Sequence, residues 1–208
     1  MALGTLPLSL VGNTAALGEW ADQLVAVATE HGFPFFRAQG TIYRGWVMVK
    51  NRSVTEGISL LRSGLAAFRA TGAAAWLPYY ISLLASACDI AGQVHEAVTL
   101  FDEASQTAAR TGERWLEAEL SRHKGRLLLQ QGHAEAAEEL YCKALSIARE
   151  QEAKVWELRA SASLARLRCD QGRGAEARDL LASIYGWFTE GFDTPDLRGA
   201  KALLDELA

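Results

Sequence analysis

Gly45, Ala85, Gly125 and Ala165 stand forty residues apart, and so do Gly57, Ala97, Ala137 and Ala177. Leu61, Phe101, Tyr141 and Leu181 repeat at the same interval, and Gly12, Gly92, Gly132 and Gly172 mark turns in that frame. A recurrence of this length belongs to chains built as stacks of supersecondary units, each burying its apolar face against its neighbours. The stretch from Glu113 to Gln151 reads as two amphipathic helical segments joined at Gln131-Gly132. Half of the 208 residues are apolar, only four are proline, and helix-forming Ala, Leu, Glu and Arg dominate. The expectation is all-α: a right-handed α-solenoid of helix pairs forming one repeat domain over residues 1–208.

Residues 1–32 read as a degenerate first repeat. Pro7 and Gly4 interrupt any long helix before Val11, and Asn13-Thr14 then caps a helix from about Ala15 to Glu30. Full repeats follow at 33–72, 73–112, 113–152 and 153–191, with the last helix running from about Ala175 to Thr189. In the second repeat, helix A is expected from about Ala75, with Pro78 tolerated in its first turn. Residues 192–208 predict a capping helix: Thr194 caps, Pro195 opens, and Leu197, Ala200, Leu203, Leu204 and Leu207 share one face. The helix from Ala15 to Glu30 lacks a regular partner, so Leu17, Leu24, Val25 and Ala28 are expected to leave an apolar face open, on which a homodimer could form.

Within each repeat the small residues lie twelve apart and a bulky residue follows four later, so two helices can approach closely at each small position. That spacing is similar to the tetratricopeptide repeat, whose usual length is about 34 residues. Forty residues imply helices longer by nearly a turn each. HEAT repeats share the longer period but do not predict the small–small–bulky spacing. The segments EHGFPFF, GERWLEAELSRHKGRLLLQQG and DQGRGAEARDLLASIYGWFTEGFDTPDLRGAKALLDELA further resemble one bacterial family. It comprises signalling proteins that carry an adenylate/guanylate cyclase domain, a P-loop ATPase and then such repeats. No GxxxxGK[ST] loop and no cyclase-like metal-binding segment occurs here, so the family's catalytic residues match no position of this chain. The resemblance implies a sensing or docking module.

The net charge of −4 gives no global reason to expect nucleic acid or an acidic membrane as partner. Cys88, Cys142 and Cys169 form no CxxC pair and suit reduced, buried thiols in a cytoplasmic protein. The N-terminus lacks the basic stretch of a secretion signal. Ser121 and Lys124 match an S-x-x-K tetrad, but its companion motifs are absent. The four histidines show no metal-binding spacing, and neither metal nor cofactor is expected.

Trp76, Trp115 and Trp156 open successive A helices and are expected to wedge between repeats. Trp46 falls beside Gly45, where an exposed aromatic could anchor a peptide. In tetratricopeptide-like stacks the A helices line the inner face. In that phase Glu119, Arg122, Arg126 and Leu129 line repeat three, and Arg159, Ala162, Arg166 and Cys169 line repeat four. The candidate binding residues are therefore Trp46, Arg122, Arg126, Arg159 and Arg166, with the four guanidinium groups suited to an acidic peptide or another anion. The competing reading pairs these arginines with Glu119, Glu157 and their neighbours as ordinary ion pairs. The functional expectation is a non-enzymatic scaffold that binds protein or peptide in bacterial signalling, and the alternative is a small-molecule or nucleotide sensor.

Overall fold

The computed structural model describes residues 2–208, with side chains from residue 4 onward. The helices are α1 (Ala2–Leu10), α2 (Thr14–Glu30), α3 (Pro34–Lys50), α4 (Val54–Ala70), α5 (Leu77–Ile90), α6 (Val94–Thr111), α7 (Glu117–Gln130), α8 (Ala134–Glu150), α9 (Lys154–Asp170), α10 (Gly174–Tyr185) and α11 (Pro195–Glu206). No strand occurs among the described residues. The fold is all-α, made of tetratricopeptide-like helix pairs at the forty-residue period and ended by a capping helix.

The turns explain why the helices stop where they do. Most helices end on a left-handed residue, and these recur in a twenty-residue phase, at Gly12, Gly32, Gly72, Gly92, Gly112, Gly132 and Gly172. At most of these turns the amide beyond the glycine returns to a carbonyl of the last helical turn, as in His133 N–H to the Leu128 oxygen at 2.9 Å and Arg173 N–H to the Arg168 oxygen at 2.8 Å. This satisfies carbonyls that a helix end would otherwise strand. Arg52 and Glu152 occupy the same phase with φ of 71° and 53°. The repeat therefore imposes the left-handed turn even where the sequence offers no glycine.

The chain forms two compact units, residues 1–113 and 114–208. In the first, α3 packs between α2 and α4, and α5 packs against α4 and α6. Its largest buried side chains include Tyr43, Leu61, Phe68, Tyr80 and Phe101. Gly45 and Gly57 bring α3 and α4 together: a Cβ at Gly45 would stand 2.8 Å from the Leu61 amide nitrogen and 2.9 Å from the Gly57 carbonyl oxygen, and one at Gly57 2.7 Å from the Gly45 carbonyl oxygen. Polar side chains also meet inside this unit, with Gln39 donating to the Tyr80 hydroxyl at 3.0 Å and the Tyr79 hydroxyl donating to Ser9 at 2.7 Å.

Residues 2–10 do form a helix despite Pro7. It is short, and Gly4 lies so close to the Trp20 ring that no Cβ would fit. This helix and α3 pack against α2, and Leu17, Leu24 and Ala28 are buried. The apolar face expected to stand open is therefore covered. The start of α5 also differs from expectation, because Trp76 adopts φ 68° and delays the helix to Leu77. Its amide donates to both carboxylate oxygens of Glu113, at 3.1 and 2.9 Å, which holds this unfavourable backbone in place.

The second unit contains α7 to α11. Tyr141, Ala144 and Leu145 of α8 bury against Leu164 and Leu167 of α9. Leu158 of α9 joins Leu181 and Ile184 of α10 and Leu197, Ala200 and Leu203 of α11. The capping helix thus covers the last apolar face, as its pattern predicts. Helix α10 ends at Tyr185, four residues short of the expectation. Gly186 follows it, and Phe188 folds back onto the core instead of extending the helix. Of the three thiols, Cys88 is buried, whereas Cys142 and Cys169 are exposed and so depart from the expected burial. Both occupy helix faces turned away from the packed stripe.

Candidate functional site

Helices α7 and α9 are packed side by side in the second unit. Glu119 stands in the first turn of α7, with Arg122, His123 and Arg126 three, four and seven residues further on, all on one side of the helix. Arg159 holds the corresponding place on α9, forty residues after Glu119, with Ser163 and Arg166 one and two turns beyond it.

These groups form a connected ionic network. Arg122 grips Glu119 with two bonds of 2.8 Å, and its remaining terminal nitrogen donates to Ser163 at 3.4 Å. Arg159 donates to Glu119 at 3.3 Å. Its other edge holds Asp196 at the start of α11, with bonds of 3.0, 3.0 and 2.7 Å. The Arg159 guanidinium also lies 5.0 Å from the centre of the Trp156 ring, which in turn stacks on Trp115 at 6.4 Å. Those two tryptophans therefore wedge between successive repeats, the role their spacing predicts.

Burial alone would raise the Glu119 pKa, but Arg122 and His123 outweigh it and hold the carboxyl well below its usual range. The His123 imidazole is pushed down to about 4, first by burial and then by the Arg122 charge. It is neutral at pH 7, with Nε2 placed 3.3 Å from Glu119 and 3.2 Å from Arg122. Arg126 is close enough to act electrostatically on His123 and on Tyr141.

The structure thus brings Arg122 and Arg159 together on Glu119, with Arg126 further along the same side of α7 and acting on His123. Arg166 shares the Arg159 side of α9, is exposed, and makes no ion pair among the described residues. Trp46 belongs to α3 of the first unit, where it is partly buried with the Lys50 ammonium 5.2 Å from its ring centre. Glu157 is taken instead by Arg149 at 3.0 Å and Lys154 at 2.8 Å. Sequence reasoning missed Asp196 as a partner and Ser163 as a bridge. Asp196 carries a signal only as a first-turn acid behind Pro195, because a pairing across thirty-seven residues has no local pattern. Among the described residues no group of histidine, cysteine and carboxylate side chains is placed to hold a metal ion, and no helix is long and apolar enough to cross a membrane.

Residues 74–150 match the tetratricopeptide repeat family. The chain carries a tetratricopeptide-like repeat region. It is 28% identical over 159 residues to an uncharacterized protein of Rhizobium meliloti (strain 1021), covering 76% of this chain. The chain spans 15% of that relative's length. Among solved structures it is similar to BtubC (BKLC) from P. vanneervenii, with a TM-score of 0.69, 18% identity, and coverage of 93% of this chain and 89% of that one. A Rap protein complexed with competence and sporulation factor superposes with a TM-score of 0.67 at 15% identity, covering 98% of this chain and 61% of that one. A putative kinesin light chain of Podosopora anserina with TPR-like repeats gives 0.58 at 22% identity, covering 89% and 92%. At these identities the likeness to solved structures is one of fold.

Proposed function

We propose that this chain is a non-catalytic scaffold whose A-helix face in the second unit docks an acidic segment of a partner protein or peptide. The reading rests above all on the exposed Arg166, which lies on the same side of α9 as Arg159, the arginine shared with Glu119 of α7. The guanidinium groups of Arg122 and Arg159 share the buried Glu119 carboxylate and Arg126 adds a third positive charge beside neutral His123, so positive charge exceeds negative within the cluster before Asp196 is counted. Guanidinium forks bind carboxylates with two parallel bonds, which favours Asp and Glu side chains over neutral ones. The Rap structure in complex with competence and sporulation factor supports a docking role for a fold of this kind.

The wider role is that of a regulatory module in bacterial signalling, acting in the cytoplasm on cyclase and ATPase domains of a longer parent. The sequence resemblance supports this, as does a relative far longer than the chain. Fluorescence anisotropy of a labelled hexaglutamate peptide against the full chain tests the docking face. Arg126→Gln/Arg166→Gln is expected to weaken binding about tenfold, and binding should fall steeply with added salt. Affinity unchanged in the double variant and indifferent to salt would refute this face as the docking site.

A further inference from the structure

Asp196 sits where a ligand's carboxylate would sit. The planar guanidinium of Arg159 offers one edge, Nε with a terminal nitrogen, whose two parallel donors match a carboxylate fork. That edge is filled by both oxygens of Asp196, while the other terminal nitrogen reaches Glu119 and the flat face lies over Trp156. The Asp196 side chain keeps 28% of its exposure, so the pair lies at the surface of the network and not inside the core. By contrast Glu119, the other carboxylate on Arg159, keeps only 9% and is held by Arg122 and His123 as well.

We propose that Asp196 is a built-in competitor for this docking face: it occupies Arg159 in the resting chain and exchanges with an acidic side chain of the bound peptide. This competition rests on the docking reading above and adds the residue that controls it. Exchange of one carboxylate for another leaves the arginine paired throughout, so no charge is stranded on the way. The displaced Asp196 returns to water at the N-terminus of α11, where the helix dipole still favours its negative charge. The apolar contacts of Leu197, Ala200 and Leu203 continue to anchor the helix. Two glycines, Gly186 and Gly191, lie in the irregular stretch that precedes it, and Gly191 adopts φ 76°. The Asp196 side chain can therefore turn out to water while Leu197 beside it keeps the first turn of α11 seated in the core.

A resting chain whose competent form is only a fraction of the population binds more weakly by that fraction. Removing the competitor should therefore raise affinity. The probe is labelled hexaglutamate, titrated into full-length wild type, Asp196→Asn, Asp196→Ala and Asp196→Asn/Arg159→Gln, each checked for helical content by circular dichroism. Both single variants are expected to bind about tenfold more tightly than wild type, and the added Arg159→Gln to abolish that gain. Peptide added to wild type should shift the Asp196 side-chain carboxyl resonance and leave the amides of 200–206 protected from exchange. Equal affinity of wild type and both single variants overturns the competition while leaving the docking face intact. Absence of binding by every protein, Asp196→Asn included, overturns the docking reading and this inference with it.

Discussion

His123 gives the network its pH dependence. Its folded pKa, about 4, lies below the ordinary value of 6.5, so the unfolded chain takes up a proton that the folded chain refuses. Stability is then complete above pH 6.5 and is lost as the pH falls towards 4. Glu119, also depressed, loses its contribution in the same direction at still lower pH. At pH 5 the His123 share amounts to about 2 kcal/mol, taken from the shift between 6.5 and about 4. His123→Gln should therefore lose about 2 kcal/mol less than wild type between pH 7 and pH 5 in urea unfolding. Equal losses would mean that His123 is not buried in neutral form. None of this was legible in the sequence, where His123 is one of four scattered histidines. Its environment comes from burial together with Glu119, Arg122 and Arg126 on its own helix, and the burial has no signal in the local sequence.

At the scale of the helix, the recurrence of small residues was legible and its severity was not. Gly45 and Gly125 hold the same repeat position, but their neighbours differ. A Cβ at Gly45 meets the backbone of Gly57 and Leu61 at 2.8–2.9 Å, which moves only if α4 moves. At Gly125 the nearest atoms are on the Tyr141 ring at 2.8 and 2.9 Å, with the Ala137 carbonyl at 3.1 Å. A ring can turn, and a helix backbone resists. Gly45→Ala is expected to cost about 3 kcal/mol and Gly125→Ala about 1 kcal/mol, measured by urea unfolding. Equal costs would place the two helix pairs at the same separation and contradict the difference in packing. Two helix boundaries departed from the expected positions. Trp76 delays α5 because Glu113 stabilises its left-handed backbone, and α10 stops early because Phe188 packs inward. Both depend on contacts that no local window contains.

Across the whole molecule, the period predicted the helix pairs and the apolar stripe predicted the capping helix. Arginine spacing placed Arg122 and Arg126 on one side of α7, and Arg159 and Arg166 on one side of α9. What spacing could not reveal was the sharing of partners. Glu119 joins Arg122 to Arg159, and Asp196 completes the pair, so only Arg166 of the four is exposed without an ion pair among the described residues. On a chain of net charge −4, the attraction proposed between this face and an acidic partner is expected to be short-ranged and sensitive to salt. Whether this face receives the partner is tested most directly by a two-dimensional NMR titration of the full chain with hexaglutamate, following backbone amides and arginine Nε–H groups together. The largest shifts are expected at Arg122, Arg126, Arg159 and Arg166, with the Asp196 amide moving in step. Shifts confined to the B helices α8 and α10, or none at saturating peptide, would contradict docking at this face.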